Sequence, residues 1–220
     1  MNKNFCSFRY SDNFISSKID EIRINKVLKL IGKNKHVLDL GCWDGSIMER
    51  IQAHGNQVTG IEISKSAIEK AKKKGLEIFD LSLGMDWAKK VNKKFDVVFA
   101  GEIIEHIFDT DRFLQNIRKV LKKNGSLIIT TPNVASLGRR LLLLIGKNPI
   151  LETTARKHAA GHIRYFTFET LTKLLIENNF RIETTESIVV NFNTSSTLFS
   201  VTLARLFPSL GSHLIVKAIK

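Results

Sequence analysis

The sequence predicts an α/β fold built on a parallel, doubly wound sheet. Three observations carry that expectation. Strand-like apolar runs alternate with helix-period segments along most of the 220 residues. A glycine turn, Gly41-Cys42-Trp43-Asp44-Gly45, follows the first of these strands and opens a helix. Acidic residues stand at successive strand ends, where open α/β sheets bind their ligands.

Ile22, Val27, Leu28, Leu30 and Ile31 suggest a first helix ending at Gly32, within an N-terminal helical segment over 1–35. His36 to Leu40 reads as the first strand, and Ser46 to His54 as a helix closed by Gly55. Gln57 to Ile63 is the second strand. Ser64 is expected to cap a helix whose apolar face is Ala67, Ile68 and Ala71, ending in a lysine run and Gly75. Leu76 to Leu81 and Phe95 to Ala100 are the third and fourth strands. Asp109 or Thr110 caps a helix with Phe113, Leu114, Ile117, Val120 and Leu121 on one face, predicted to stop at Gly125. Ser126 to Thr131 is the fifth strand, halted by Pro132. Thr167 caps a helix carrying Phe168, Leu171, Leu174 and Leu175. Phe180 to Val190 reads as a strand, Ser195 to Leu206 as a helix, and His213 to Ile219 as the last strand, which suggests a closing antiparallel pair.

Between the fifth strand and the Thr167 helix lies a basic, amphipathic insertion, 134–161. It holds Arg139-Arg140 before Leu141 to Ile145, then Arg156-Lys157-His158. It is expected to lie as a lid over the acceptor side of a single domain spanning 1–220. The formal charge of +13 favours an anionic partner: nucleic acid, acidic lipid or a phosphorylated substrate. The lysines are scattered along the chain rather than gathered in one stripe. Hydrophobic content of 43% and charged content of 25% are those of a globular domain. Cys6 and Cys42 form no CxxC pair, so neither a disulfide framework nor a cysteine zinc site is expected, and a reducing, cytoplasmic setting fits. The longest aliphatic run, Leu141 to Ile145, is too short to span a bilayer, although with its flanking cations it could rest on a membrane surface.

Glu62, about twenty residues after the glycine loop, can accept hydrogen bonds from ribose hydroxyls. Dinucleotide enzymes and S-adenosylmethionine (SAM) enzymes share that feature, and the loop separates them. A pyrophosphate loop needs G-x-G-x-x-G. Here the order is Asp39-x-Gly41-x-Trp43-x-Gly45, and Asp39 would repel a pyrophosphate but suit the ammonium of a methionine moiety. SAM is therefore preferred to a nicotinamide cofactor.

Past the fourth strand stands Glu102-Ile103-Ile104-Glu105-His106. On a helix start, Glu102, Glu105 and His106 would share one face. Two carboxylates and an imidazole could hold a divalent cation; alternatively the carboxylates are favoured by a helix dipole and His106 is a solvated cap.

On these residues the chain resembles the class I SAM-dependent methyltransferases over nearly its whole length. Val37 to Gly45 resembles the family's first motif, Ile61-Glu62 its ribose-binding strand end, and Phe79-Asp80-Leu81 its adenine-contacting position. Phe95 to Ala100 and Val120 to Asn133 resemble its fourth and fifth motifs. The resemblance implies a Rossmann-like, mostly parallel seven-stranded sheet in the order 3-2-1-4-5-7-6, the last strand antiparallel. It implies SAM as cofactor, held by Asp39, Gly41, Trp43, Gly45, Glu62, Ile63, Asp80, Leu81, Ala100 and Gly101. Trp43 departs from the family, which has a glycine there.

Glu-x-x-Glu-His is similar to the metal-binding motif of small-RNA 3′-terminal 2′-O-methyltransferases, and a related segment occurs in ubiquinone-biosynthesis O-methyltransferases. His162-Ile163-Arg164-Tyr165-Phe166-Thr167 stands where the RNA enzymes have a further histidine. The resemblance thus implies Glu102, Glu105, His106 and His162 as ligands of Mg or Mn, or else His106 and His162 as general bases. His158 is a weaker candidate; His36, His54 and His213 are expected to be structural or solvated. A small metabolite, quinone precursor or glycan hydroxyl is the favoured acceptor. RNA, a non-catalytic SAM-binding role and a nicotinamide-dependent reductase are the alternatives.

Overall fold

The computed structural model of the chain describes residues 17–149, 161–192 and 197–220. Helix α1 (Lys18–Ile31) leads into β1 (His36–Leu40), α2 (Ser46–Ala53), β2 (Gln57–Glu62), α3 (Lys65–Lys73) and β3 (Glu77–Asp80). Then come α4 (Ala88–Val91), β4 (Phe95–Gly101), a 3₁₀ turn (Ile104–His106), α5 (Thr110–Val120), β5 (Leu121–Pro132) and α6 (Leu137–Leu144). The chain continues with α7 (Phe168–Glu177), β6 (Arg181–Ser187), β7 (Val190–Asn191), β8 (Phe199–Ser200), α8 (Val201–Leu206) and β9 (His213–Ile219).

Seven strands form one sheet in the order β3-β2-β1-β4-β5-β9-β6, with β9 antiparallel to both its neighbours. This is the expected order, with β9 as the seventh strand of the sheet. Side chains alternate across the strands, so the sheet carries an apolar layer on each face. Leu38 and Leu40 join the layer under α4, α5 and α7, which contains Trp87, Phe113, Ile117, Leu171 and Leu175. Val37 joins the opposite layer with Ile24 and Val27 of α1 and Met48 and Ile51 of α2. Helices thus cover both faces of the sheet, and the C-terminal ends of β1 to β4 lie side by side.

Local capping explains several boundaries. The Ser17 hydroxyl accepts the Asp20 N–H, and the Asp109 carboxylate accepts the Arg112 N–H. Thr167 and Thr170 make a reciprocal capping box at α7. Ser64 occupies the N-cap of α3, but its hydroxyl pairs with Ser66 and makes no cap bond.

Three expectations shift. Helix α5 ends at Val120, short of Gly125, because Lys94 and Lys220 ammoniums satisfy the last carbonyls at Arg118, Lys119 and Leu121. The strand expected over 180–190 breaks after Ser187, and Val190–Asn191 pairs instead with Phe199–Ser200 in a small separate ribbon. Helix α8 starts at Val201, where the Ser200 hydroxyl caps it by accepting the Leu203 N–H. The expected helix start at Ser195 lies outside the described residues, as do residues 1–16 of the N-terminal segment and 150–160 of the insertion, including Arg156, Lys157 and His158.

Candidate active site

The sheet order makes β3, β2, β1 and β4 neighbours, so their C-terminal ends bring the expected cofactor residues together. Asp39 is level with Gly60 of β2 and Phe99 of β4, and Glu62 is level with Asp80 of β3. Gly41 leaves β1 at φ 72° and donates its N–H to Ile61 O at 2.8 Å. Gly45 closes the loop at φ 78° as the N-cap of α2, a backbone setting that favours glycine. Trp43 lies between them at φ 49°, in the same left-handed region but with a large side chain. This explains why the family glycine belongs there, and shows that a tryptophan is carried on the same backbone path.

Glu62 does more than its position at a strand end indicates. It is buried, and its Oε1 accepts the N–H groups of Ile63 and Ser64 at 2.8 Å each, while Oε2 accepts the Trp43 N–H at 3.1 Å. One carboxylate thus ties the β1–α2 loop to the β2–α3 loop. A carboxylate has about four lone-pair sites, so this one keeps acceptor capacity for a ligand hydroxyl. Asp39 is 2% exposed, and its Oδ2 has no hydrogen-bond partner. Burial, with the nearby Glu62 charge adding to it, pushes the Asp39 carboxyl up to about 7. Asp80 is exposed at the end of β3, and Leu81 donates its N–H to Glu62 O at 3.1 Å. Ala100 is buried and Gly101 half-buried at the end of β4.

Beyond β4 the geometry departs from the expected helix face. Glu102 takes φ 54°, and only Ile104–His106 form a 3₁₀ turn, so the helical spacing of Glu102, Glu105 and His106 is lost. Glu102 turns towards α1, β5 and β9. Its Oε1 accepts the Thr130 hydroxyl at 2.8 Å and lies 3.5 Å from the Arg23 guanidinium, and Oε2 lies 3.7 Å from His213 Nε2. It therefore drops out of the expected ligand set. His213, expected to be structural or solvated, is the Glu102 partner on β9, and burial holds its imidazole below the ordinary value.

Glu105, His106 and His162 do converge. Their ligand atoms all lie within 4.8 Å of one another. The imidazole rings of His106 and His162 have centroids 4.9 Å apart, and His162 Nε2 is 3.9 Å from Glu105 Oε1. Glu105 is 1% exposed; its Oε2 accepts the Thr131 hydroxyl at 3.0 Å, and Oε1 has no hydrogen-bond partner. Burial, reinforced by Glu102, raises the Glu105 carboxyl well above the ordinary carboxylate range. His106 Nδ1 meets Gly161 O at 3.1 Å. A carbonyl only accepts, so Nδ1 carries the hydrogen and Nε2 is the basic nitrogen of the neutral ring.

The 161–166 segment is zipped onto this corner. Ile163 and Arg164 donate their N–H groups to Glu105 O at 3.0 and 3.2 Å, and the Arg164 guanidinium reaches the carbonyls of Ile107 and Phe108. Val134 N donates to Phe166 O at 3.0 Å. Thr130, Thr131, Arg23, Arg164 and His213 were not singled out for this corner by sequence reasoning. Of these, Arg23 carried a readable signal, a cation on the apolar stripe of α1 between Ile19 and Val27.

A family described as a methyltransferase domain matches residues 12–185. A ubiquinone biosynthesis O-methyltransferase of Pelagibacter ubique is 38% identical over 123 residues, covering 54% of this chain and 51% of that protein. The chain spans about half the length of the curated relatives it matches first. Among solved structures, a SAM dependent methyltransferase from Archaeoglobus fulgidus superposes with TM-score 0.68 at 18% identity, covering 93% of this chain and 95% of that one. The N-methyltransferase NodS from Bradyrhizobium japonicum, in complex with S-adenosyl-L-homocysteine, superposes with TM-score 0.61 at 15% identity, covering 94% and 89%. These likenesses agree with the seven-stranded sheet. The chain belongs to the methyltransferase domain family and has the class I fold of the SAM-dependent enzymes.

Proposed function

We propose that this chain is a SAM-dependent O-methyltransferase acting on a hydroxyl of a small acceptor, of the quinone-precursor type that its ubiquinone-biosynthesis relatives are named for. The observation that carries the reading is the convergence of Glu105, His106 and His162 beside the Asp39–Glu62–Asp80 strand ends. SAM, when bound, supplies a methyl group activated on sulfur. The chain's own part is to bind, orient and remove a proton. The unpartnered Asp39 Oδ2 suits the ammonium end of the cofactor, and the remaining acceptor capacity of Glu62 suits a ribose hydroxyl. Asp80 and Leu81 lie at the adenine end; Ala100 and Gly101 lie towards the methyl end. The acceptor hydroxyl gives its proton to an imidazole of the Glu105 corner, with His106 Nε2 as the basic nitrogen of its ring.

The same three side chains would fit a divalent cation, Mg or Mn, since the Glu105 Oε1 is buried without a hydrogen-bond partner, lies 3.9 Å from His162 Nε2, and the three residues offer ligand atoms within 4.8 Å of one another. Such a cation would lower the pKa of a bound hydroxyl. Two nitrogens in the donor set suit Mn better than Mg.

The test is transfer of label from methyl-labelled SAM to a cell extract, with and without chelator, followed by separation into RNA, organic-soluble and water-soluble fractions. Organic-soluble label, lost with His162→Ala, is the expected result; chelator-resistant label assigns the histidines as bases, and chelator-sensitive label assigns the cation. Label in nuclease-sensitive RNA would overturn the acceptor class.

A further inference from the structure

Lysines scattered along the sequence are gathered by the fold. Strands β1, β4, β5 and β6 run in one direction and β9 runs against them, so four strand starts and the end of β9 share one edge of the sheet. Lys35 precedes β1, Lys94 precedes β4, Lys122 and Lys123 open β5, Arg181 opens β6 and Lys220 follows β9. Five adjacent strands about 4.8 Å apart make a row about 19 Å long. Beside it lies a cavity of about 380 Å³ lined on its polar side by Lys89, Asn92, Lys93, Lys94 and Lys119, and by no carboxylate. The acids at the strand starts are already taken: Glu77 pairs with Lys93, and Asp96 lies 2.8 Å from Lys122. Asp86, whose carboxyl feels Lys89 and Lys119, is paired with Arg112 at 2.9 Å. Among the described residues, no carboxylate stands within 4.0 Å of Lys89, Lys119, Lys123 or Arg181. Burial, with the like charges of Lys94 and Arg118 adding to it, pulls the Lys220 ammonium below its ordinary value. Positive charge is therefore crowded at this edge with few internal anions to relieve it, in a chain that carries +13.

We infer that this basic edge binds the phosphodiester backbone of nucleic acid without reading its sequence. A duplex presents one charge per about 1.7 Å of its axis, so a row of this length meets several phosphates at once. Lysines on flexible stems suit phosphates as point charges. Apart from Ile176 near the end of α7, none of the large exposed apolar side chains among the described residues lies at these strand starts, on α4 or at the end of α5. The edge therefore has little to bury in a bilayer interface and no aromatic ring on which a base could stack. Strand β4 runs from this edge to the Glu102 turn, which sets the edge about 20 Å from the Glu105–His162 corner. A backbone held here docks the chain rather than presenting the acceptor, so the inference does not depend on the transferase reading.

The test is fluorescence anisotropy of end-labelled DNA and RNA duplexes of about 20 base pairs and unrelated sequence, titrated with the full chain at about 50 and about 200 mM salt. The expected result is binding of both duplexes that weakens roughly 100-fold across that range, as about four phosphate contacts require. Lys89→Gln together with Lys119→Gln should weaken binding about tenfold at the lower salt and flatten the salt slope by about half. Lys65→Gln together with Lys147→Gln removes the same charge beyond the opposite ends of β2 and β5, and should leave affinity and slope nearly unchanged. All four lysines are exposed, so the packed core is untouched. Failure of the duplexes to bind at the lower salt refutes the inference. Equal weakening by the two pairs also refutes it, since the effect would then be one of net charge alone. Retention on phosphatidylglycerol vesicles in place of the duplexes would overturn it as well and give the edge to a lipid surface.

Discussion

Replacing Glu62 by Gln keeps its size and removes its charge. Oε1 holds two N–H groups at 2.8 Å, so the amide oxygen will stay there and its NH₂ will face the Trp43 N–H. A donor then meets a donor at a buried site. Hydrogen bonds to a charged acceptor contribute about 1.5–3 kcal/mol each, and a buried donor left unmet costs about 1–3 kcal/mol. The loss centres on one of the three bonds, so about 2–3 kcal/mol of stability should go. For a chain of this length that lowers Tm by roughly 4–12 °C. On the proposed ribose contact a charged acceptor is lost as well, so SAM affinity should fall by about 1–3 kcal/mol, a roughly 5- to 150-fold rise in Kd. Scanning calorimetry of the ligand-free chain and titration calorimetry with SAM measure the two effects separately. Unchanged Tm together with unchanged Kd would refute the claim that this carboxylate organises the cofactor loop.

Asp39 has a folded pKa of about 7 against an ordinary 3.8, so its contribution to stability is complete below 3.8 and is lost as pH rises through about 7. Asp39→Asn should flatten that decline in ligand-free Tm across the same window while weakening SAM binding; parallel pH profiles for the two proteins would contradict the assignment. Thr131→Val removes the hydroxyl donated to Glu105 Oε2, and should lower kcat about tenfold or more with SAM Kd unchanged; a loss of SAM affinity would move Thr131 to the cofactor side. Arg23 is 5% exposed and faces both Asp20 and Glu102, so Arg23→Met should cost about 3 kcal/mol, and adding Glu102→Gln should restore part of it. Strict additivity in that thermal-denaturation cycle would show that the two charges do not interact.

The strand-end cluster around Asp39, Glu62 and Asp80 is readable in its backbone because that is fixed by local sequence: strand periods, Gly41 and Gly45 at positive φ, and acids at strand ends. The acceptor side was only half readable. Glu105, His106 and His162 were identified by type, but their arrangement was not, because nothing in the residue Glu102 announces a left-handed backbone; glycine and asparagine are the usual signals. That single dihedral converts an expected helix turn into a 3₁₀ turn and sends Glu102 to Arg23 and His213. The early end of α5 was hidden for a different reason. Its last carbonyls are met by Lys94 and Lys220, which lie 25 and about 100 residues away in sequence.

Strand β9 emerges during synthesis after the other described strands, yet it fills the gap between β5 and β6. Until it does, β6 has no partner in the sheet and β5 presents an open edge, the kind of template on which chains aggregate. Strands β1 to β4, which carry Asp39, Glu62 and Asp80 at their ends, are already synthesised at that stage. His213, which faces Glu102, arrives only with β9. The strand ends around Asp39, Glu62 and Asp80 can thus form before the Glu102–His213 pair closes.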